Sequence, residues 1–154
     1  MKLSISKAFS LAGQTALITG GATGIGLGIA CAYRAAGARV VLTGRREGKL
    51  QEAVLELGEE AHYMVHDVTE LSSSESLIET IEERHGPISI LVNNAGINIK
   101  KPSEELSDAE LREILDVHVM GSFALSRAVG KRMMGREGGN LLFIASMASL
   151  FGIP

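Results

Sequence analysis

Along this chain short apolar runs alternate with segments in which apolar residues return every three or four positions. The run Ala16-Leu17-Ile18 reads as a first strand over 15–19, and Ile25, Ile29 and Tyr33 then recur at helical spacing until Gly37. Val40-Val41 marks a second strand over 39–43, followed by Leu50, Ala53, Val54 and Leu57 on one helical face that Gly58 ends. A third strand over 61–66 precedes Ser72-Ser73-Ser74-Glu75, a capping-box pattern for a helix carrying Leu77, Ile78 and Ile81. Residues 88–92, apolar except at Ser89, read as a strand covered on both faces. A second capping box, Ser107-Asp108-Ala109-Glu110, opens a helix with Leu111, Ile114 and Leu115. A long helical stretch over about 117–136 follows, and Gly138-Gly139 leads into a last strand over 140–146. Strand and helix alternate without repeat or linker, which predicts an α/β protein with a doubly wound parallel sheet.

Composition changes this picture little. The 154 residues are 45% hydrophobic and 21% charged, the profile of one globular domain over 1–154. A net charge of -3 gives no electrostatic reason to expect nucleic acid or an acidic membrane as partner. No apolar run approaches the roughly 20 residues that span a bilayer, and serines interrupt the N-terminal apolar residues, so no secretory leader is expected. The single Cys31, set among alanines, is expected to be a packed thiol in a reducing cytoplasm. His62, His66 and His85 fall on separate elements, without the spacing of a metal site.

The chemistry gathers at strand ends. Thr19-Gly20-Gly21-Ala22-Thr23-Gly24-Ile25-Gly26 joins the first strand to the first helix, where backbone N–H groups and the helix dipole converge on a point suited to phosphate. Gly20 would let the chain turn, Gly24 would let backbone approach a pyrophosphate, and Gly26 would let the helix pack closely. About 20 residues on, Gly44-Arg45-Arg46 replaces the acidic residue that would bond a ribose 2'-OH, which favours NADP(H), with NAD(H) as the alternative. Asp67-Val68-Thr69 follows the third strand and Asn93-Asn94-Ala95-Gly96 the fourth.

In this order and spacing, with Ser146 after the last strand, these motifs resemble the short-chain dehydrogenase/reductase superfamily from about Leu11 onward. The resemblance implies a Rossmann-type sheet with five strands present, ordered 3-2-1-4-5, and a nicotinamide cofactor across the strand ends. It places Gly20, Thr23, Gly24, Ile25 and Gly26 at the pyrophosphate. Arg45, with Arg46 beside it, would meet the 2'-phosphate, Asp67 and Val68 the adenine, and Asn93, Ala95 and Gly96 the ribose and neighbouring backbone. Ser146 would hold the substrate oxygen, with Ser149 as rival hydroxyl. His118 stands where the family has a catalytic asparagine; read from the residues alone it is a hydrogen-bonded core histidine.

The family's tyrosine, thirteen residues after the serine, and the lysine four further on would fall beyond Pro154, and the family's later strands are absent too. A tyrosine of pKa ~10 with a nearby cation is what would deliver the proton in carbonyl reduction. The expectation is therefore the front half of a longer cytoplasmic enzyme acting on a small alcohol or ketone, in the manner of gluconate 5-dehydrogenases or 3-oxoacyl reductases. The alternative is a nucleotide-binding or interaction module without catalysis. Apolar residues on more than one side of the long helix, Phe123, Leu125, Val129, Met133 and Met134, suit a homodimer or homotetramer of the complete protein. The last strand, Leu141 to Ile144, would be left with an uncovered apolar edge.

Overall fold

The computed structural model describes residues 9–136 and 138–149. Five parallel strands, β1 (Thr15–Thr19), β2 (Arg39–Gly44), β3 (Ala61–Val65), β4 (Ile88–Asn93) and β5 (Asn140–Phe143), lie in the order β3-β2-β1-β4-β5. Between them run α1 (Gly24–Ala35), α2 (Glu47–Leu57) and α3 (Ser74–His85), then α4 (Asp108–Leu115), a π-helical segment (Asp116–Gly121) and α5 (Ser122–Met134).

The period of two in β1 divides the core. Ala16 and Ile18 face α1 and α2, where they pack with Ala30, Leu50 and Ala53, whereas Leu17 faces α3 and α5 and packs with Ile78, Ile81, Leu125 and Val129. All five residues of β1 are buried, the condition that an uninterrupted apolar strand anticipates. The strand order reverses between β1 and β4, which opens a crevice at their carboxyl ends.

Several expectations are corrected. Ile25 is 67% exposed, because the face of α1 that meets the sheet is set by Gly26 and Ala30 rather than by the bulkier residues beside them. Cys31 is exposed for the same reason, one position round the helix from Ala30. The box at Ser72 to Glu75 does not cap α3: a 3-10 turn, Leu71–Ser73, precedes the helix, and the Ser73 hydroxyl donates to the Glu70 carbonyl instead. The box at Ser107 and Glu110 does form, both halves of it.

The two helices expected over residues 108–136 are one helical run through the π segment, ending at Met134; Leu111 and Leu115 are exposed on it. Strand β3 stops at Val65 and β5 at Phe143, each short of its expected end, although the Ile144 amide still donates to the Asn93 carbonyl. Residues 1–8 lie outside the described residues, and the Leu11 amide already donates to the Ala36 carbonyl at the end of α1.

Candidate active site at the strand ends

A cleft of about 400 Å³ opens where β1, β2, β3 and β4 end. Its walls bring together Gly20, Thr23, Ile25, Arg45, Arg46, Asp67, Val68, Ala95 and Gly96, residues separated by up to three crossovers in sequence. Gly20 leaves β1 at φ 62°, a left-handed conformation that a side chain would strain, and a Cβ there would also meet the Ala95 Cα at 3.0 Å. Gly26 does not line the cleft but makes it: a Cβ would press on the Gly20 carbonyl oxygen and come within 2.5 Å of the Asn94 side-chain nitrogen.

The two loops are clasped by Thr19 and Asn94, which stand in the quoted motifs but were given no role in the sequence reading. The buried Thr19 hydroxyl accepts from the amides of Asn94 and Ala95, both at 3.0 Å. The Asn94 side-chain nitrogen in turn donates to the carbonyls of Thr19, at 2.9 Å, and Gly20, at 3.1 Å. The Asn-Asn pair was the available signal. It is divided in use, since the neighbouring Asn93 points its amide away to the Ser126 hydroxyl at 3.0 Å. Ala22, Thr43, Gly44, Leu50, His66, Asn94, Ile97 and Val117 complete the lining.

At the exit of β2 the Arg45 guanidinium lies 3.7 Å from the Asp67 carboxylate. Arg46, just ahead of α2, reaches back to the Thr23 hydroxyl at 3.4 Å. Burial pushes the Asp67 carboxyl up, but bonds from the Thr69 amide and hydroxyl, with the Arg45 charge, outweigh it and hold the group below the usual carboxylate range. Asp67 therefore stays an ionised acceptor at neutral pH. His66, buried at the end of β3, is pushed down chiefly by desolvation and stays neutral.

Besides Gly26 and Asn93, three expected residues lie outside the lining. Gly24 is exposed at the start of α1 with open space about it, at φ 56°. Ser146 is exposed past β5 and its hydroxyl accepts from the Ala148 amide at 3.1 Å, beside the 3-10 turn Met147–Ser149. His118 corrects the expectation of a core histidine: it is exposed on the π segment, and its Nε2 lies 2.8 Å from the Ile97 carbonyl oxygen. Among the described residues no group of histidine, cysteine, aspartate or glutamate could hold a metal, and no helix is long and apolar enough to cross a membrane.

The family profile described as short chain dehydrogenase matches residues 14–154, almost the entire chain. This chain belongs to the short-chain dehydrogenase family. A gluconate 5-dehydrogenase of Gluconobacter oxydans is 37% identical over 149 residues, covering 95% of this chain and 58% of the relative. An NADP-dependent (R)-specific alcohol dehydrogenase of Lentilactobacillus kefiri is 34% identical over 147 residues, covering 94% of this chain and 58% of that one. A crystal structure of a short chain dehydrogenase from Bacillus anthracis superposes with a TM-score of 0.86 at 34% identity, covering 92% of this chain and 60% of the other. This short-chain dehydrogenase chain thus spans a little under two thirds of the proteins it matches.

Proposed function

We propose that residues 1–154 are a single dinucleotide-binding domain of an NADP(H)-dependent oxidoreductase that interconverts a secondary alcohol and a ketone by hydride transfer. The observation that carries the reading is the charge pattern of the cleft. Its lining joins a glycine turn at a helix start to Arg45 and Arg46, which stand where an acidic residue would serve a free ribose hydroxyl. The residues present fit such a group. A side chain at Gly20 would close the cleft against Ala95, and two guanidinium groups stand at its rim next to an ionised acceptor, Asp67.

In this reading the turn formed by Gly20, Thr23, Gly24, Ile25 and Gly26 binds the pyrophosphate, and Arg45 with Arg46 takes the 2'-phosphate. Asp67 and Val68 hold the adenine, while Asn93, Ala95 and Gly96 set the backbone beside the ribose. When bound, the dinucleotide would supply the hydride for ketone reduction and accept it in alcohol oxidation. Ser146 orients the substrate oxygen and so fixes which carbon faces the cleft. The names of the relatives favour a sugar acid or another small alcohol as substrate. Exposed Phe123 and Met134 on α5 favour association of the complete protein into a homodimer or homotetramer in the cytoplasm, which sedimentation would test by showing more than monomer.

Titration with NADPH and NADH tests the central claim. Arg45→Ala is expected to cut the preference for NADPH about tenfold or more, the worth of a charge-assisted hydrogen bond. An unchanged preference would remove the arginine argument.

A further inference from the structure

The π-helical segment touches both walls of the cleft. On one side Gly121 sits so close to Val68 that a Cβ would come within 2.7 Å of the Val68 carbonyl oxygen. On the other, the His118 ring covers Gly96, where a Cβ would lie 2.7 Å from the ring Cε1 and 3.3 Å from Nε2. Val117, next to His118 in the chain, lines the cleft itself, as do Val68, Gly96 and Ile97. Single π turns inside α-helices are often found at functional sites, and here His118 and Gly121, three positions apart in the wider turn, face two different loops.

His118 also meets Ile97 in an unusual way. One nitrogen, Nε2, lies 2.8 Å from the Ile97 carbonyl oxygen and 3.2 Å from the Ile97 amide nitrogen. A ring nitrogen carrying hydrogen donates and one without it accepts, so it cannot serve both groups at once. The shorter distance belongs to the carbonyl, which assigns the hydrogen to Nε2. An asparagine side chain, with a separate donor and acceptor, could satisfy both.

We propose that His118 is a positioning residue, whose ring clamps the backbone of Gly96 and Ile97 so that the π segment sets the separation of the two cleft walls. Gly96 and His118 are then a coupled pair: a side chain at 96 would meet the ring, which would have to leave its place over the loop. The inference rests on the reading of the cleft as a dinucleotide site, although the clamp itself can be measured without any ligand.

A double-mutant cycle of Gly96→Ala with His118→Ala in the complete protein, with His118→Asn as the conservative variant, provides the test. Two quantities are read: the urea midpoint without ligand, and NADPH affinity from the change in its fluorescence. Gly96→Ala is expected to weaken NADPH binding about tenfold in the His118 background and about threefold or less beside His118→Ala, with the same coupling in the urea midpoint. His118→Ala alone is expected to weaken binding about fivefold, and His118→Asn to restore it to within about twofold of wild type. Equal penalties for Gly96→Ala in both backgrounds, or a His118→Ala protein that matches wild type, would overturn the clamp. A wild-type protein that takes up no NADPH would overturn both the dinucleotide reading and the role of the clamp in shaping its site. The urea cycle would still report the packing, so the two failures are told apart.

Discussion

Strands β1 and β5 flank the same partner, β4, and both pair with it in parallel. Their backbones answer the same demand for hydrogen bonds, yet all five residues of β1 are buried and all four of β5 are exposed, Phe143 to 58%. Helices cover β1 on both faces and its exit is clasped to that of β4 through Thr19 and Asn94. Leu141, Leu142 and Phe143 of β5, and Ile144 just past it, are no less apolar, but their side chains lack comparable cover among the described residues. Strand pairing alone does not distinguish the two positions. What separates them is apolar area removed from water, worth roughly 1.5 to 3 kcal/mol for each large side chain.

The largest test of that contrast is Leu17→Ala, which should destabilise the chain by about 3 kcal/mol or more in urea unfolding, since it leaves a cavity between β1, α3 and α5. Should the loss be below about 1 kcal/mol, the contrast between the strands is not one of packing. Next comes the clasp. Asn94→Ala removes two bonds to the carbonyls of Thr19 and Gly20 and should cost about 2 kcal/mol while weakening NADPH binding. A variant that loses stability but binds as before would separate the clasp from the cleft.

At the amino ends of the strands the contrast can be sharpened with pH. His62 on β3 and His85 at the end of α3 stack at 4.1 Å. Desolvation pushes both down, His62 further by Arg39 and His85 further by His62 and Arg39. A folded pKa below the unfolded one means that the unfolded chain binds more protons, so stability should fall as pH drops through the unfolded histidine value of about 6.5. His85→Gln should flatten that fall, and a profile unchanged by the substitution would exclude the pair as its source. The smallest effect is expected at Leu142→Ala, less than about 0.5 kcal/mol in the 154-residue chain. In a longer protein whose further residues cover β5, the same change should rise toward the value for Leu17.

The strands and the glycine turn could be read in the sequence because they depend on neighbours: apolar runs, periods of two or of three to four, and a turn that only glycine makes easily. The clasp could not. Thr19 has the composition of an ordinary strand end, and its partners Asn94 and Ala95 reach it only after β1 and β4 are side by side. His118 was legible as a substitution within a family pattern, but not its position. A core histidine and a ring laid over Gly96 call for the same residue at the same spacing, and only the π turn decides between them. Ile25 and Cys31 failed for a related reason. An apolar or small residue on a helix shows that burial is available to it, whereas the rotation of α1 about its axis was fixed by the close fit of Gly26 beneath Asn94.

By itself the sequence determined the order of elements, the buried character of β1 and β4, and the set of strand-end residues from Gly20 to Gly96 that share one edge of the sheet. Those follow from local periodicity and from the rule that parallel crossovers place successive strand ends together. The tertiary structure alone decided which of those residues face the cleft, which hold the loops around it, and which strand is left uncovered. These outcomes depend on contacts between segments far apart in the chain, and hydrophobic pattern carries no information about such contacts until the sheet has formed.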